Sequence, residues 1–110
     1  SAAMAPAIMG NPDRHKLAEE LTNSFCRTDP AIAKAFAKVT FTSDNRDDLP
    51  RVTARTLIMQ SQEDIIAGPN VGEYVHASIL GSEIVYLKSA GHCPNLSAPA
   101  EVISALRAFL

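Results

Sequence analysis

Two short runs of apolar residues constrain the fold of this chain more than any other feature. They span residues 56–61 (TLIMQS) and 84–87 (IVYL), and polar residues do not alternate through their centres. Such runs are typical of strands that are buried on both faces of a parallel sheet. A helical pattern over residues 70–80 separates them, and another over residues 102–110 follows. Because parallel strands need a crossover connection, this order predicts an α/β fold with helices packed on a parallel sheet.

The first half of the chain predicts two amphipathic helices. In the first, apolar residues recur every four positions after Pro12, a residue that suits a first helical turn. The second begins at Asp29, an N-cap acid that precedes Pro30. Residues 43–50 are polar and contain Asp, Asn and Pro, so we expect an irregular connection there. Gly81 is expected to adopt the left-handed conformation after the helix that separates the two strands.

A sheet of two strands is too small to stand alone, because an isolated pair leaves unpaired edges and covers little apolar surface. Residues 1–10 are small and apolar and have no capping residue ahead of them, as in a chain that begins partway through an element. We therefore expect this sequence to be the C-terminal part of a larger α/β domain, either cut from it or completed by a second chain.

Charge and hydropathy exclude several classes of partner. The 110 residues include 10 basic and 12 acidic side chains, a net charge of -2, without the basic clusters that bind nucleic acid or anionic membranes. No apolar run approaches the roughly 20 residues that span a bilayer, and the N-terminal segment does not resemble a signal peptide. Cys26 and Cys93 form no CxxC pair, which favours free thiols, and Cys26 is expected to be buried at a helix end. We expect a cytoplasmic protein that binds neither nucleic acid nor membranes.

Titratable side chains come just after each predicted strand. Glu63 and Asp64 follow the first strand, and His92 follows the second. In a parallel sheet both segments emerge at the carboxyl-terminal edge, which is where ligands bind in such folds. A carboxylate that accepts a hydrogen bond from an imidazole Nδ1 fixes the tautomer and stabilises the imidazolium that forms when Nε2 takes a proton. We therefore expect an acid and a histidine to pair at this edge, with either acid as the candidate.

Longer segments carry a resemblance to a known family. The order of an acid and then a histidine after successive strands resembles the last third of the α/β-hydrolase fold, whose triad residues follow the order Ser, Asp, His. Three segments are similar to the α/β-hydrolases that include the bacterial stress-response regulator RsbQ and the plant receptors for strigolactones and karrikins: NPDRHKLAEELTNSFCRTDPAIAKAF, FTSDNRDDLPRV and GHCPNLSAP. The resemblance extends over essentially all of the chain.

This resemblance implies an α/β-hydrolase core with a helical cap. Residues 1–48 would form the later part of the cap, and residues 49–110 the C-terminal part of the core with its last two strands and helices. Asp64 matches the triad acid of the family and His92 matches its base. The nucleophile would lie outside this chain, because none of its nine serines has a glycine two positions before it, as a GxSxG elbow requires. The oxyanion-hole donors would lie outside it for the same reason.

The function implied is that of a serine esterase that acts on a small apolar ester or lactone-like substrate. The N-terminal part of the same hydrolase would supply the nucleophile, so the chain alone is expected to be inactive. One alternative is a regulator like RsbQ that responds to a ligand and acts through a signalling partner protein. Another alternative is an inactive truncated fragment. No cofactor is expected, and His15 and His76 lack the spacing of metal ligands.

Two positions depart from the family pattern. Pro69 follows Gly68 and stands one position later than in the family, an order expected to loosen the turn that aims Asp64, and Asn95 stands where a second histidine is common. A thiol nucleophile at Cys93 is an alternative, but nothing near it in the sequence lowers its pKa. Several apolar residues are candidates either for the lining of a pocket below the cap or for ordinary core positions: Met4, Ile8, Met9, Phe25, Phe36 and Phe41.

Overall fold

The computed structural model describes residues 4–110, in which helices surround a pair of strands. Three helices come first, namely α1 (Met4–Met9), α2 (His15–Arg27) and α3 (Pro30–Thr42), and a 3-10 helix over Arg46–Arg51 follows them. The second half contains the strand β1 (Leu57–Glu63), the helix α4 (Pro69–Ser78), the strand β2 (Glu83–Ala90), the short helix α5 (Pro94–Ser97) and the helix α6 (Pro99–Phe109).

The two strands pair in parallel, which confirms the sequence prediction. Leu57 lies opposite Glu83 and Ser61 lies opposite Leu87, and the register shifts between Ser61 and Glu63. The helix α4 connects the strands and packs on both of them, and α6 also contacts both. The order of strand, crossover helix, strand and helix is therefore the α/β arrangement that the apolar runs predicted.

Burial of the strands is less complete than the apolar runs suggested. Leu87 is 1% exposed, and Gln60 and Ser61 are buried, but Val85 and Tyr86 are 37% and 40% exposed. The helices of the described residues cover the centre of the sheet and leave parts of its faces open. The buried apolar residues come from both halves of the chain: Ala5, Met9, Ile79, Leu87 and Val102.

The start of α3 agrees with its sequence signal. Asp29 Oδ1 accepts hydrogen bonds from the backbone amides of Ala31 (2.8 Å) and Ile32 (3.1 Å), and Pro30 occupies the first helical position. These bonds satisfy amides that have no partner within the helix. Gly81 has a φ of 76°, also as expected, although α4 has already ended at Ser78.

The predicted start of α2 near Pro12 is wrong, because the helix begins at His15. A turn precedes it, in which the amide of Arg14 donates to the carbonyl of Asn11 (3.0 Å). The periodicity of the apolar residues did not reveal this turn, since Asn11 is held by two hydrogen bonds, one of them to Ala90 far along the chain. Those contacts belong to the site described below.

The helices α2 and α3 contain no buried residues. Ile32, Phe36 and Val39 form an apolar stripe along α3, and each of them is at least 65% exposed. Cys26 is exposed as well, so the expectation that it is buried is wrong. Among residues 4–110, no helix has both the length and the hydropathy needed to cross a membrane.

The carboxylate of a glutamate in α6 accepts hydrogen bonds from two backbone amides of β2. Glu101 accepts hydrogen bonds from the backbone amides of Lys88 (2.6 Å) and Ser89 (3.2 Å). Amides at a strand edge otherwise need water or another strand as a partner. This contact fixes α6 to the end of β2, close to the segment that carries the histidine.

Candidate active site

The candidate acid, Asp64, lies in a turn that is stabilised by its own side chain. Asp64 comes directly after β1, and its Oδ1 accepts hydrogen bonds from the backbone amides of Ile66 (2.8 Å) and Ala67 (3.0 Å). Such a turn is a common structure for an aspartate that is followed by a loop. It leaves the second carboxylate oxygen, Oδ2, available for a partner outside the loop, and the side chain is only 7% exposed.

The loop after the acid is also tied to the strand that precedes it. Gln60 is buried in β1, and its side-chain amide donates to the carbonyls of Ala67 (2.9 Å) and Ser61 (2.9 Å). Gly72 of α4 lies against this side chain, because a Cβ at that position would approach Gln60 Oε1 to 2.5 Å. Gln60 was not predicted from the sequence as part of the site. Its position as a polar residue inside the first apolar run was a signal that could have identified it.

The candidate base, His92, lies just after the end of β2, where the chain turns sharply. Gly91 has a φ of 94° and donates its amide to the carbonyl of Glu63 (2.7 Å), which ties the ends of the two strands together. The amide of His92 then donates to the carbonyl of Ile8 at the end of α1 (2.7 Å). His92 is therefore placed by a strand end and by a helix from the start of the chain.

The structure brings Asp64 and His92 together. His92 Nδ1 lies 2.8 Å from Asp64 Oδ2, and the imidazole retains 41% of its exposure. Because an ionised carboxylate can only accept, Nδ1 carries the proton in this pair, and in the neutral imidazole Nε2 has a lone pair. The imidazole is thus oriented to accept a proton at Nε2.

Hydrogen bonding keeps the acid ionised. Burial raises the pKa of Asp64, but hydrogen bonds from the Ala67 amide, from His92 and from the Ile66 amide outweigh burial and leave this pKa below its ordinary value. The carboxylate therefore carries a negative charge at neutral pH and accepts the hydrogen bond from the imidazole of His92.

Glu63, the other candidate acid, does not occupy this position. Its side chain is exposed at the end of β1, and it is its backbone carbonyl that accepts the amide of Gly91. The register shift that ends the pairing of β1 with β2 lies between Ser61 and Glu63. Of the two acids that the sequence left open, the structure pairs Asp64 with the histidine.

The Gly68-Pro69 order does not open the acid loop. Gly68 has φ −62° and ψ 168°, which any residue can adopt, and its carbonyl accepts the amide of Val71 (2.8 Å). Asp64 retains both of its backbone hydrogen bonds within the same loop. Asn95 lies in α5 and is exposed.

The remaining candidates do not join this pair. Burial raises the pKa of the Cys93 thiol, and the charge of Asp64 raises it further, which opposes a thiolate. His76 Nδ1 lies 2.9 Å from Ser82 Oγ at the end of α4. Within the described range, no cluster of three or more His, Cys, Asp or Glu side chains is arranged to hold a metal ion.

A groove of about 490 Å³ lies between the 3-10 helix and α4. Leu49, Val71 and Tyr74 are among its lining residues, and neither Asp64 nor His92 lines it. Of the apolar residues that were candidates for a pocket lining, Met9 is buried, whereas Phe25, Phe36 and Phe41 are exposed on α2 and α3.

Comparison with known proteins identifies similar chains among hydrolases. A probable esterase of Oryza sativa subsp. japonica is 36% identical over 103 residues, which are 93% of this chain and 38% of that protein. Karrikin insensitive 2 receptor IA of Petunia hybrida is 34% identical over 103 residues, with the same coverage of both chains. A hydrolase structure from Oleispira antarctica superposes with a TM-score of 0.92 at 38% identity and covers 97% of this chain and 39% of that one.

The chain thus spans about two fifths of the length of the curated relatives it matches. No protein-family model matches it. Similarity to these chains, together with the parallel strands and flanking helices, confirms the fold class that the sequence predicted.

Proposed function

We propose that this chain, which has the fold of the C-terminal portion of an α/β-hydrolase, supplies the acid and the base of a serine hydrolase. Asp64 is the triad acid and His92 is the triad base, and the nucleophilic serine comes from a part of the hydrolase outside these residues. The observation that carries the proposal is the 2.8 Å contact between His92 Nδ1 and Asp64 Oδ2 at the carboxyl edge of two parallel strands. Below, the complete hydrolase means the protein that contains this chain together with its nucleophile-bearing part.

The geometry gives each side chain a role in acyl transfer. His92 Nε2 takes the proton of the serine hydroxyl as its oxygen attacks the substrate carbonyl, and the resulting imidazolium returns that proton to the departing alcohol. A water molecule then attacks the acyl-enzyme with the same histidine as base, and the serine leaves with the proton. Asp64 stays ionised throughout and holds the imidazole through Nδ1, which is consistent with the lowered pKa of its carboxyl group.

The substrate class is proposed to be a small apolar ester or a lactone-like compound.

Residues 1–48 form the later part of a cap over the pocket, and residues 49–110 form the C-terminal part of the core. Two observations support this division. The end of α1 lies directly against the segment of His92, since Ile8 accepts its amide, and α2 and α3 expose apolar side chains that suit a pocket or a covering surface. Residues 1–3 lie outside the described part of the chain.

The test replaces each partner of the pair in the complete hydrolase. We expect His92→Ala to lower kcat for a small aryl ester by a factor on the order of 10³ or more. Asp64→Asn is expected to lower it by roughly 10⁴-fold, because an amide in place of the carboxylate favours the wrong imidazole tautomer. His76→Ala is the matched control, since this histidine pairs with Ser82 away from the site, and it should retain turnover. Turnover within about tenfold of the unaltered enzyme in both site variants would overturn the proposal.

A second candidate function is a receptor that responds to hydrolysis or binding of a ligand and acts through a partner protein. It is favoured by the similarity to proteins named Karrikin insensitive 2 receptors and by the exposed stripe of Ile32, Phe36 and Val39 on α3. The two candidates separate when turnover and ligand-induced partner binding are measured on the same complete hydrolase. Fast multiple turnover that needs no partner supports the plain esterase, and a single slow turnover coupled to partner binding supports the receptor.

A further inference from the structure

The segment of His92 is held by a part of the chain that lies some eighty residues earlier. The last carbonyls of α1 have no partner within the helix, as at any helix end. The carbonyl of Ile8 accepts the amide of His92 (2.7 Å), and the carbonyl of Met9 accepts the side-chain amide of Asn11 (2.5 Å). The end of α1 therefore contacts the backbone of His92 through a terminal carbonyl group.

Asn11 connects the end of α1 to the end of β2. Its Nδ2 lies 2.5 Å from the carbonyl of Met9 and 3.2 Å from the carbonyl of Ala90, two residues before His92. A carboxamide carries two N–H donors, so one group can donate to both carbonyls. The two bonds flank the hydrogen bond from His92 to Ile8 and fix the separation between the end of α1 and the end of β2.

The two backbones approach so closely that only glycine fits between them. A Cβ at Gly91 would lie 2.0 Å from the carbonyl oxygen of Met9, and a Cβ at Gly10 would lie 2.7 Å from Gly91 Cα. Both glycines also have positive φ angles, 60° at Gly10 and 94° at Gly91. Glycines allow this contact but provide no side chain to hold it. The side chain of Asn11 bridges the two backbones by hydrogen bonds.

We propose that Asn11 is a positioning residue for His92, which acts by clamping the end of α1 to the end of β2. This inference rests on the proposed function. Rotation of the imidazole away from Asp64 Oδ2 is limited by the backbone at residues 91–92, whose amides donate to the carbonyls of Glu63 and Ile8. Asn11 ties together the adjacent carbonyls of Met9 and Ala90, and so holds the end of α1 beside this backbone. A displacement of about 1 Å at a reacting group costs on the order of 10²-fold in rate. Loss of the clamp should therefore lower kcat and leave substrate binding nearly unchanged.

Two substitutions in the complete hydrolase test this role. Asn11→Ala removes the amide, and Asn11→Asp keeps its size but replaces both donors with an acceptor that faces two carbonyls. Each is expected to lower kcat by about 10²-fold with KM changed by no more than about twofold. The matched controls are Asn23→Ala and Asn23→Asp, because Asn23 is an exposed asparagine on α2. They should leave kcat and KM unchanged.

A double-mutant cycle separates positioning from a purely structural role. If Asn11 acts through His92, Asn11→Ala has little further effect on the residual turnover of a His92→Ala enzyme. A general loss of folded protein would instead lower both backgrounds by the same factor. Should Asn11→Ala fail to fold, the isosteric Asn11→Asp takes its place in the cycle. Equal factors in the two backgrounds, or an unchanged kcat in folded Asn11 variants, would overturn the inference.

Comparison of the His92→Ala and Asn11 variants also distinguishes failure of this inference from failure of the proposed function. If His92→Ala leaves turnover intact, the triad assignment itself fails. If His92→Ala abolishes turnover while both Asn11 variants retain full kcat, the triad assignment stands and only the role of Asn11 is rejected. An NMR signal from the Nδ1 proton of His92 that weakens in the Asn11 variants, and not in the Asn23 variants, gives an independent reading of the same contact.

Discussion

The two loops that carry the candidate acid and base are held in opposite ways. The acid loop is held from within, since Asp64 accepts the amides of Ile66 and Ala67, two and three residues later. The base loop is held from outside, because the partners of Gly91 and His92 are Glu63 and the end of α1, 28 and 84 positions earlier by residue number. A short local turn thus places one member of the pair, and the tertiary structure places the other.

This difference predicts where the site tolerates change. A locally organised loop adapts when one neighbour changes, because its hydrogen bonds depend on only a few adjacent residues. A loop that is fixed by distant elements loses several contacts at once when a substitution keeps its backbone from packing against those elements. Substitutions of the glycines in the two loops examine this contrast directly, and each should be made in the complete hydrolase.

The largest effect is expected for Gly91→Ala in the base loop. A Cβ there would lie 2.0 Å from the carbonyl oxygen of Met9, and φ is 94°, so the variant combines backbone strain with a clash. Displacement of α1 would also break the hydrogen bond from His92 to Ile8. We expect the free energy of unfolding to fall by about 3 kcal/mol or more, as measured by urea denaturation.

Gly81→Ala is the matched control for this substitution. Gly81 also has a positive φ, 76°, but a Cβ there would meet no atom within 4 Å. The control therefore carries the strain without the clash and should cost only about 1 kcal/mol. Equal losses in the two variants would mean that contact with α1 does not hold the base loop.

The stability that the acid loop contributes is expected to depend on pH. Burial raises the pKa of Asp64, but its hydrogen bonds lower it more, so the folded pKa lies below the unfolded one. A carboxyl group of this kind stabilises the fold fully above its unfolded pKa of about 3.9, and this stability is lost as pH falls through the folded pKa. The gap in urea midpoint between the unaltered protein and Asp64→Asn should therefore narrow as pH falls from about 5 to about 2. A gap that widens on acidification would have the wrong sign.

The smallest effect is expected for Gly68→Ala in the acid loop. The backbone of Gly68 lies in a region open to all residues, and the nearest atom to an added Cβ is the side-chain oxygen of Asn70 at 3.0 Å. Asn70 is exposed and can rotate away, so the free energy of unfolding should change by no more than about 0.5 kcal/mol. A loss comparable to that of Gly91→Ala would show that the acid loop is as tightly constrained as the base loop.

Much of the fold followed from local sequence signals. The apolar runs predicted two parallel strands, and Asp29 with Pro30 marked the start of α3, because a strand pattern and an N-cap depend on neighbouring residues. The start of α2 was mispredicted, since Asn11 donates to the distant carbonyl of Ala90, a contact that no periodicity reveals. Burial of Cys26 was mispredicted for a related reason, because burial depends on which elements pack against a helix.

The candidate site was likewise predicted in part from the sequence and decided in part only by the tertiary structure. By itself the sequence determined that two carboxylates and a histidine follow successive strands and so meet at one edge of a sheet, since direction and order are properties of the chain. Only the tertiary structure decided that Asp64 and not Glu63 contacts His92, and that Gln60 and Asn11 fasten the two loops. For the base loop the physical reason is distance along the chain: the contacts of His92 to Ile8 and of Asn11 to Ala90 exist only once α1 and β2 have packed together.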